Sequence, residues 1–213
     1  MHELTDLRDY VRFFVTLLAV LDPFLAVPIY IGVTAQKGAE ARLALARAVT
    51  ITVFAVLAGT AFAGESLLEV MGASLPAFRV GGGLVLLLMA LAMLNAQAGG
   101  VRQSSAEAEE LEHGSLTGVV PLAVPLLAGP GAISTTILAA EAGGLLHRLV
   151  LTACIALVCA VLWLMLRLAH RIVPRIGQTG LNIATRLLGL LLAAIAVQTM
   201  AAGLKELFPG LAG

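Results

Sequence analysis

Apolar residues run along the chain in blocks of about 20, the length at which an α-helix crosses ~30 Å of hydrocarbon, and polar residues collect between them. Six blocks are predicted as spans, near residues 10 to 35, 45 to 64, 76 to 95, 117 to 140, 148 to 168 and 184 to 205. The first opens with an unbroken apolar run from Phe13 to Leu21 that resembles a secretory leader. Its flank carries Glu3, Asp6 and Asp9 beside Arg8 and Arg12, and no small-x-small cleavage site follows, so it reads as a retained span. The pattern predicts an all-α polytopic membrane protein with six transmembrane helices.

Two of the blocks are interrupted. The first contains Leu21-Asp22-Pro23 with Pro28 further on, and the fourth contains Ala128-Gly129-Pro130-Gly131 after Pro121 and Pro125. Irregular backbone at membrane depth is tolerated where it is buried in protein or lines a cavity. Helices 1 and 4 are therefore expected to be broken helices facing the protein interior.

The interruptions share a register. Pro23 and Pro130 lie 107 residues apart, as do Arg79 and Arg186 at the starts of the third and sixth blocks, and Gly82 and Gly189 shortly after them. Three blocks per half is an odd number, so the second half enters the membrane from the opposite side. The expectation is two inverted three-helix repeats, residues 1–98 and 117–213, joined by a polar loop over 99–116 that holds Arg102, Glu107, Glu109, Glu110 and Glu112. In such folds the substrate site lies near the midplane, where discontinuous helices supply fixed dipoles.

Composition agrees with the pattern. Of 213 residues, 60% are apolar and only 12% charged, and the mean hydropathy is +1.00; soluble domains are roughly 45–50% apolar and ~25% charged. Thirteen basic residues balance thirteen acidic ones, which gives no reason to expect a nucleic-acid partner. Lys37, Arg42, Arg47, Arg102, Arg167, Arg171, Arg175 and Arg186 follow the odd-numbered spans, against Arg8, Arg12, Arg79, Arg148 and Lys205 on the other side. This excess places those connections in the cytoplasm and both termini outside. Cys154 and Cys159 lie five apart within one apolar run and suggest neither a disulfide nor a metal site.

Asp22 stands about midway along its span, where an ionised carboxylate costs at least ~2.5 kcal/mol. Two compatible readings stay open. Asp22 followed by Pro23 is the N-cap and first-turn pair of a new half-helix, and Asp22 is also a candidate ligand for a cation, a proton or a substrate ammonium. At the second break, Gly129, Pro130 and Gly131 restart a helix whose first turns carry Ser134, Thr135 and Thr136, an arrangement suited to an anion such as a carboxylate. Against this stands the plainer reading that these hydroxyls bond to their own helix or to a neighbour. A carboxylate at one break and a positive helix end at the other match an uncharged amino acid. Asp22, Pro23, Pro28, Gly129, Pro130, Gly131, Ser134, Thr135 and Thr136 are accordingly the candidate substrate-binding set.

Arg79 and Arg186 are assigned a structural role, each holding carbonyl groups at the opposite broken helix, and Gly82 and Gly189 a packing role. Glu141, Asn95 and Gln198 are expected to make interhelical hydrogen bonds. An intramembrane enzyme is not expected: His-Glu-x-x-His, paired mid-span aspartates and a serine–histidine pair are all missing, and His2, His113, His147 and His170 fall in termini or connections. Without a nucleotide loop the chain is no ATP-driven pump acting alone.

The stretches Leu21-Asp22-Pro23-Phe24-Leu25-Ala26-Val27-Pro28-Ile29-Tyr30 and Pro121 to Thr135 resemble the two signature regions of the MarC family of bacterial inner-membrane proteins, and the resemblance covers nearly the whole chain. It implies a six-span protein of the bacterial cytoplasmic membrane, grouped with neutral amino-acid transporters. Phe24-Leu25-Ala26 stands where the family commonly has a small residue followed by Asn, so a polar substrate contact there would be absent. The expected function is secondary transport of a small-molecule substrate, most simply a neutral amino acid, with a coupled proton or sodium ion and a homo-oligomer left open and no cofactor or metal. The competing readings are a small-molecule or drug exporter, a channel, and a structural membrane subunit.

Overall fold

The computed structural model describes residues 7–95, 127–141 and 143–212; the central loop 99–116, Pro121, Pro125, His2 and His113 lie outside the described residues. Among the described residues there are six helices: α1 (Leu7–Leu21), α2 (Pro23–Thr34), α3 (Ala39–Met71), α4 (Leu75–Leu94), α5 (Pro130–Ala140) and α6 (Leu145–Leu207), with a short 3-10 turn at Pro209–Ala212. Proline stands at the start of α2, α4 and α5. The first turn of a helix has no partner for its N–H groups, so a residue without one is favoured there.

The 63 residues of α6 would form a straight rod of ~95 Å at 1.5 Å per residue, about three hydrocarbon thicknesses. Its contacts show that it folds back on itself. His147, near its start, hydrogen-bonds Tyr10 at 2.9 Å, and His170 approaches Thr34 at 3.5 Å at the far end of α2. Thr185 then reaches Asp22, and Gln198 reaches Arg12 near the start of α1. The reversal occurs at Gly177, with φ 69° and ψ 170°, a conformation essentially confined to glycine. The expected connection between the last two blocks is thus a single break within continuous helix.

Two faces follow from this path. The first holds Tyr10, Arg79, His147 and Gln198; the second holds Thr34, Arg42 and His170. Among the described residues, Leu7–Thr34, Ala39–Gly64, Leu75–Leu94 and Leu145–Leu207 are long and apolar enough to cross a membrane. The side chains agree: Ile51, Leu187 and Leu190 are each more than 60% exposed, while Leu17, Leu57, Ile155 and Leu162 are fully buried. Apolar matter lies on both sides of these helices, as a hydrocarbon solvent allows.

α4 and the second arm of α6 run antiparallel in close contact. A Cβ on Gly83 would stand 2.5 Å from Met200 Cγ and 3.0 Å from the Ala196 carbonyl; one on Gly189 would stand 2.8 Å from Met93 Cβ; one on Gly203 would stand 2.7 Å from the Pro76 carbonyl. Glycine at these levels lets the two backbones approach, and dispersion contacts replace the hydrophobic drive that lipid cannot supply. Gly82, a predicted packing point, instead faces α5, where a Cβ would stand 3.1 Å from Ser134 Cβ.

Candidate functional site

The first break is one residue long. Asp22 separates α1 from α2 with φ 43° and ψ 75°, in the left-handed region, which Asp and Asn tolerate better than most side chains. It is fully buried. Its Oδ1 accepts from the Leu25 amide at 3.3 Å, capping α2, and from the Thr185 hydroxyl at 3.4 Å. The carboxylate thus joins the start of α2 to the second arm of α6. Pro23 follows at the first turn and Pro28 sits inside α2, where it cannot donate to the Phe24 carbonyl four residues back.

The second break opens α5. Gly129 is its N-cap, in extended conformation and with no side-chain cap, and its carbonyl accepts from the amides of Ala132 and Ile133 at 3.0 and 3.1 Å. Among the described residues, no N-cap carboxylate offsets the positive end of this helix as Asp22 does that of α2. Gly131 packs against α4, where a Cβ would stand 2.4 Å from Met89 Sδ. Thr135 and Thr136 are buried and donate at 2.8 Å to the carbonyls of Gly131 and Ala132, four residues back on the same helix. Their donors are used within α5, which leaves only their acceptor lone pairs for a ligand. Ser134 is buried against Gly82.

The half-helices diverge: α2 runs from Asp22 to the second face, and α5 runs from Gly129 to the first. Their described contacts go to different partners, Asp22 to α6 and Gly131 to α4. At the first face a cavity of about 320 Å3 lies between α1, α4, α5 and α6. Leu86 and Thr135 line it, and both touch Gly131, so it leads towards the second break. Asp22 does not line it.

The sequence profile described as MarC family integral membrane protein matches residues 7–208. The chain belongs to this family. Among MarC relatives, the UPF0056 membrane protein YhcE of Escherichia coli is 34% identical over 97% of this chain and 96% of its own. The UPF0056 membrane protein MJ1677 of Methanocaldococcus jannaschii is 36% identical over 94% and 98%. The UPF0056 membrane protein YvbG of Bacillus subtilis is 35% identical over 93% and 95%. No solved structure matches.

In this MarC protein the two repeated arginines have different surroundings. Arg79 is held by carboxylates instead of the expected carbonyl groups: Glu141, which ends α5, at 3.3 Å, and Glu206 at the end of α6. It clamps three helix ends on the first face. Arg186 is exposed, and it is the preceding residue, Thr185, that reaches the first break. Asn95 is exposed at the end of α4 and caps it through its backbone amide. Gln198 does bond between helices, accepting from Arg12.

His147, expected in a connection, lies inside α6 and is buried. It bridges Tyr10 and the Ala139 carbonyl, the latter at 2.8 Å. Sequence pattern does not group Tyr10, Arg12, His147 and Gln198. They sit up to 188 positions apart and meet only because α6 returns to its starting face. On the second face, Arg42 donates to the carbonyls of Thr34 and Ala35 at 3.2 and 3.3 Å. Tyr30 donates to the Arg42 carbonyl at 2.7 Å.

Proposed function

We propose that the chain is a secondary transporter of small solutes, neutral amino acids first, built from two inverted three-helix repeats that rock about a midplane site at the two broken helices. The observation that carries this reading is the pair of half-helices, α2 and α5, whose N-caps Asp22 and Gly129 are both buried and which leave towards opposite faces. Discontinuous helices of this kind mark substrate sites in inverted-repeat carriers, because their ends supply fixed charge without an ion in the hydrocarbon. Asp22 offers a buried carboxylate near one helix start, and the uncapped start of α5 favours negative charge at the other. A solute with one charge of each sign suits both.

Reciprocal contacts support the repeat. Met93 packs on Gly189 and Met200 on Gly83, and the two methionines are themselves 107 residues apart. A two-fold axis crossing the α4 and α6 pair would exchange these contacts to within one residue. With both termini outside a bacterial cytoplasmic membrane, as the basic residues favour, the cavity opens outward. The Arg42, Tyr30 and Thr34 bonds then tie the cytoplasmic face closed. The chain acts as a carrier and not an enzyme, coupled to a proton or sodium gradient.

Reconstitution into liposomes tests this. Labelled alanine, leucine and glycine are offered with proton and sodium gradients imposed separately. Saturable uptake of at least one, driven by one gradient, is the expected result. Ion current at rates far above carrier turnover would replace the carrier by a channel, and no flux of any solute would favour a structural subunit.

A further inference from the structure

The cavity on the first face carries two opposite charges at its mouth. Asp9 and Arg12 both line it and lie three positions apart on α1, so they are neighbours on that helix surface. They do not pair with each other: among the described residues the ion pairs are the two made by Arg79. The Arg12 guanidinium is held instead by the neutral side-chain oxygen of Gln198. Arg79, the other cation on the cavity wall, is already matched by Glu141 and Glu206. The mouth therefore offers one cation bound only to an amide and one anion bound to nothing in the described structure. Below them the wall becomes apolar, with Leu86, Leu138 and Leu151.

We propose that this mouth is a capture site for zwitterionic α-amino acids, at the entrance of the cavity that leads towards the second break and apart from Asp22. The substrate carboxylate displaces Gln198 from Arg12, because a guanidinium fork matches a carboxylate in geometry and charge better than a single amide oxygen. The ammonium faces Asp9, and the side chain points towards Leu86, Leu138 and Leu151. A volume of about 320 Å3 lies at the small end of the roughly 300–1,000 Å3 usual for small-molecule sites. The proposal rests on the amino-acid transporter reading and adds to it the residues that admit substrate and the reason a singly charged analogue is rejected. Such an analogue leaves either Asp9 or Arg12 without its new partner.

The test uses the full chain in detergent, with binding of leucine measured by calorimetry and uptake measured in liposomes. Leucine is expected to bind. Isocaproate and isoamylamine, which each lack one charge, bind at least tenfold more weakly, as does leucine to D9N and to R12Q. Q198L keeps or tightens leucine binding, since it releases Arg12, a result that damaged folding does not produce. Leucine bound and transported by D9N and R12Q as by the original protein overturns the capture site and leaves the transporter reading standing. So does Q198L weakening binding as much as R12Q. Absence of both leucine binding and leucine uptake in the original protein overturns the two together.

Discussion

Thr185 donates its hydroxyl hydrogen to Asp22 Oδ1 at 3.4 Å, across 163 positions of sequence. One bond thus ties the first helix break to the last helix. Asp22 also caps α2 from a left-handed backbone, so a single side chain meets three demands at once: cap, turn conformation and tertiary contact. Asn meets all three without charge; Ala meets none. D22N is expected to melt close to the original protein, whereas D22A loses about 1–2 kcal/mol from the cap and the αL strain. Thermal melting in detergent separates them. If D22N folds normally and loses uptake, the charge itself serves transport.

Removing the other partner gives a smaller effect. T185V is expected to cost about 1 kcal/mol, since the bond is long but ends on a carboxylate, and T185S is expected to restore it. Equal melting of T185V and the original protein would mean that the contact is not held in the membrane.

The α4 and α6 crossing predicts a contrast between two glycines of the same helical turn. A Cβ at Gly83 meets Met200 and the Ala196 backbone, while one at Gly81 meets nothing within 4 Å. G83A should therefore destabilise by about 1–3 kcal/mol through overpacking, whereas G81A should be neutral or slightly stabilising through helix propensity, by up to ~1 kcal/mol. Unfolding in a graded denaturing detergent reads the difference. Two equal results would contradict the described packing.

Gly177 carries the reversal of α6 at φ 69° with open space around it. Strain and not collision decides the outcome there, so G177A is expected to lose about 1–3 kcal/mol and to show reduced yield in membranes. An unchanged G177A would mean that the two arms turn elsewhere.

The clamp at Arg79 sits on partly exposed side chains. Its energetic share is accordingly small: R79Q is expected to cost at most about 1 kcal/mol, with the effect fading at high salt. A large, salt-independent loss would assign Arg79 a role beyond holding the ends of α4, α5 and α6.

Much of the fold is legible in the sequence wherever backbone chemistry decides it. Proline and glycine within apolar blocks announce the break at Asp22 and the start of α5 at Pro130, and Asp22 before Pro23 announces a cap. The register of glycines announces close helix packing, but not which glycine meets which helix. Gly82 and Gly83 differ by one position, about 100° around the helix, and that angle sends one to Ser134 and the other to Met200. Arg79 and Arg186 match in sequence and differ in structure for a related reason. A guanidinium at a helix end follows the nearest carboxylate, and Glu141 and Glu206 both end on the face of Arg79. The cavity was hidden most completely, because four helices contribute to it and the return of α6 depends on one residue, Gly177.

The proposed carrier exposes one site to each face in turn. Counterflow tests this most directly: liposomes containing the protein are loaded with unlabelled leucine, diluted, and supplied with trace labelled leucine outside, with no ion gradient. A carrier accumulates label transiently above its equilibrium level, and D22N and R12Q reduce that overshoot. Label that only equilibrates, at a rate independent of the leucine inside, would contradict alternating access.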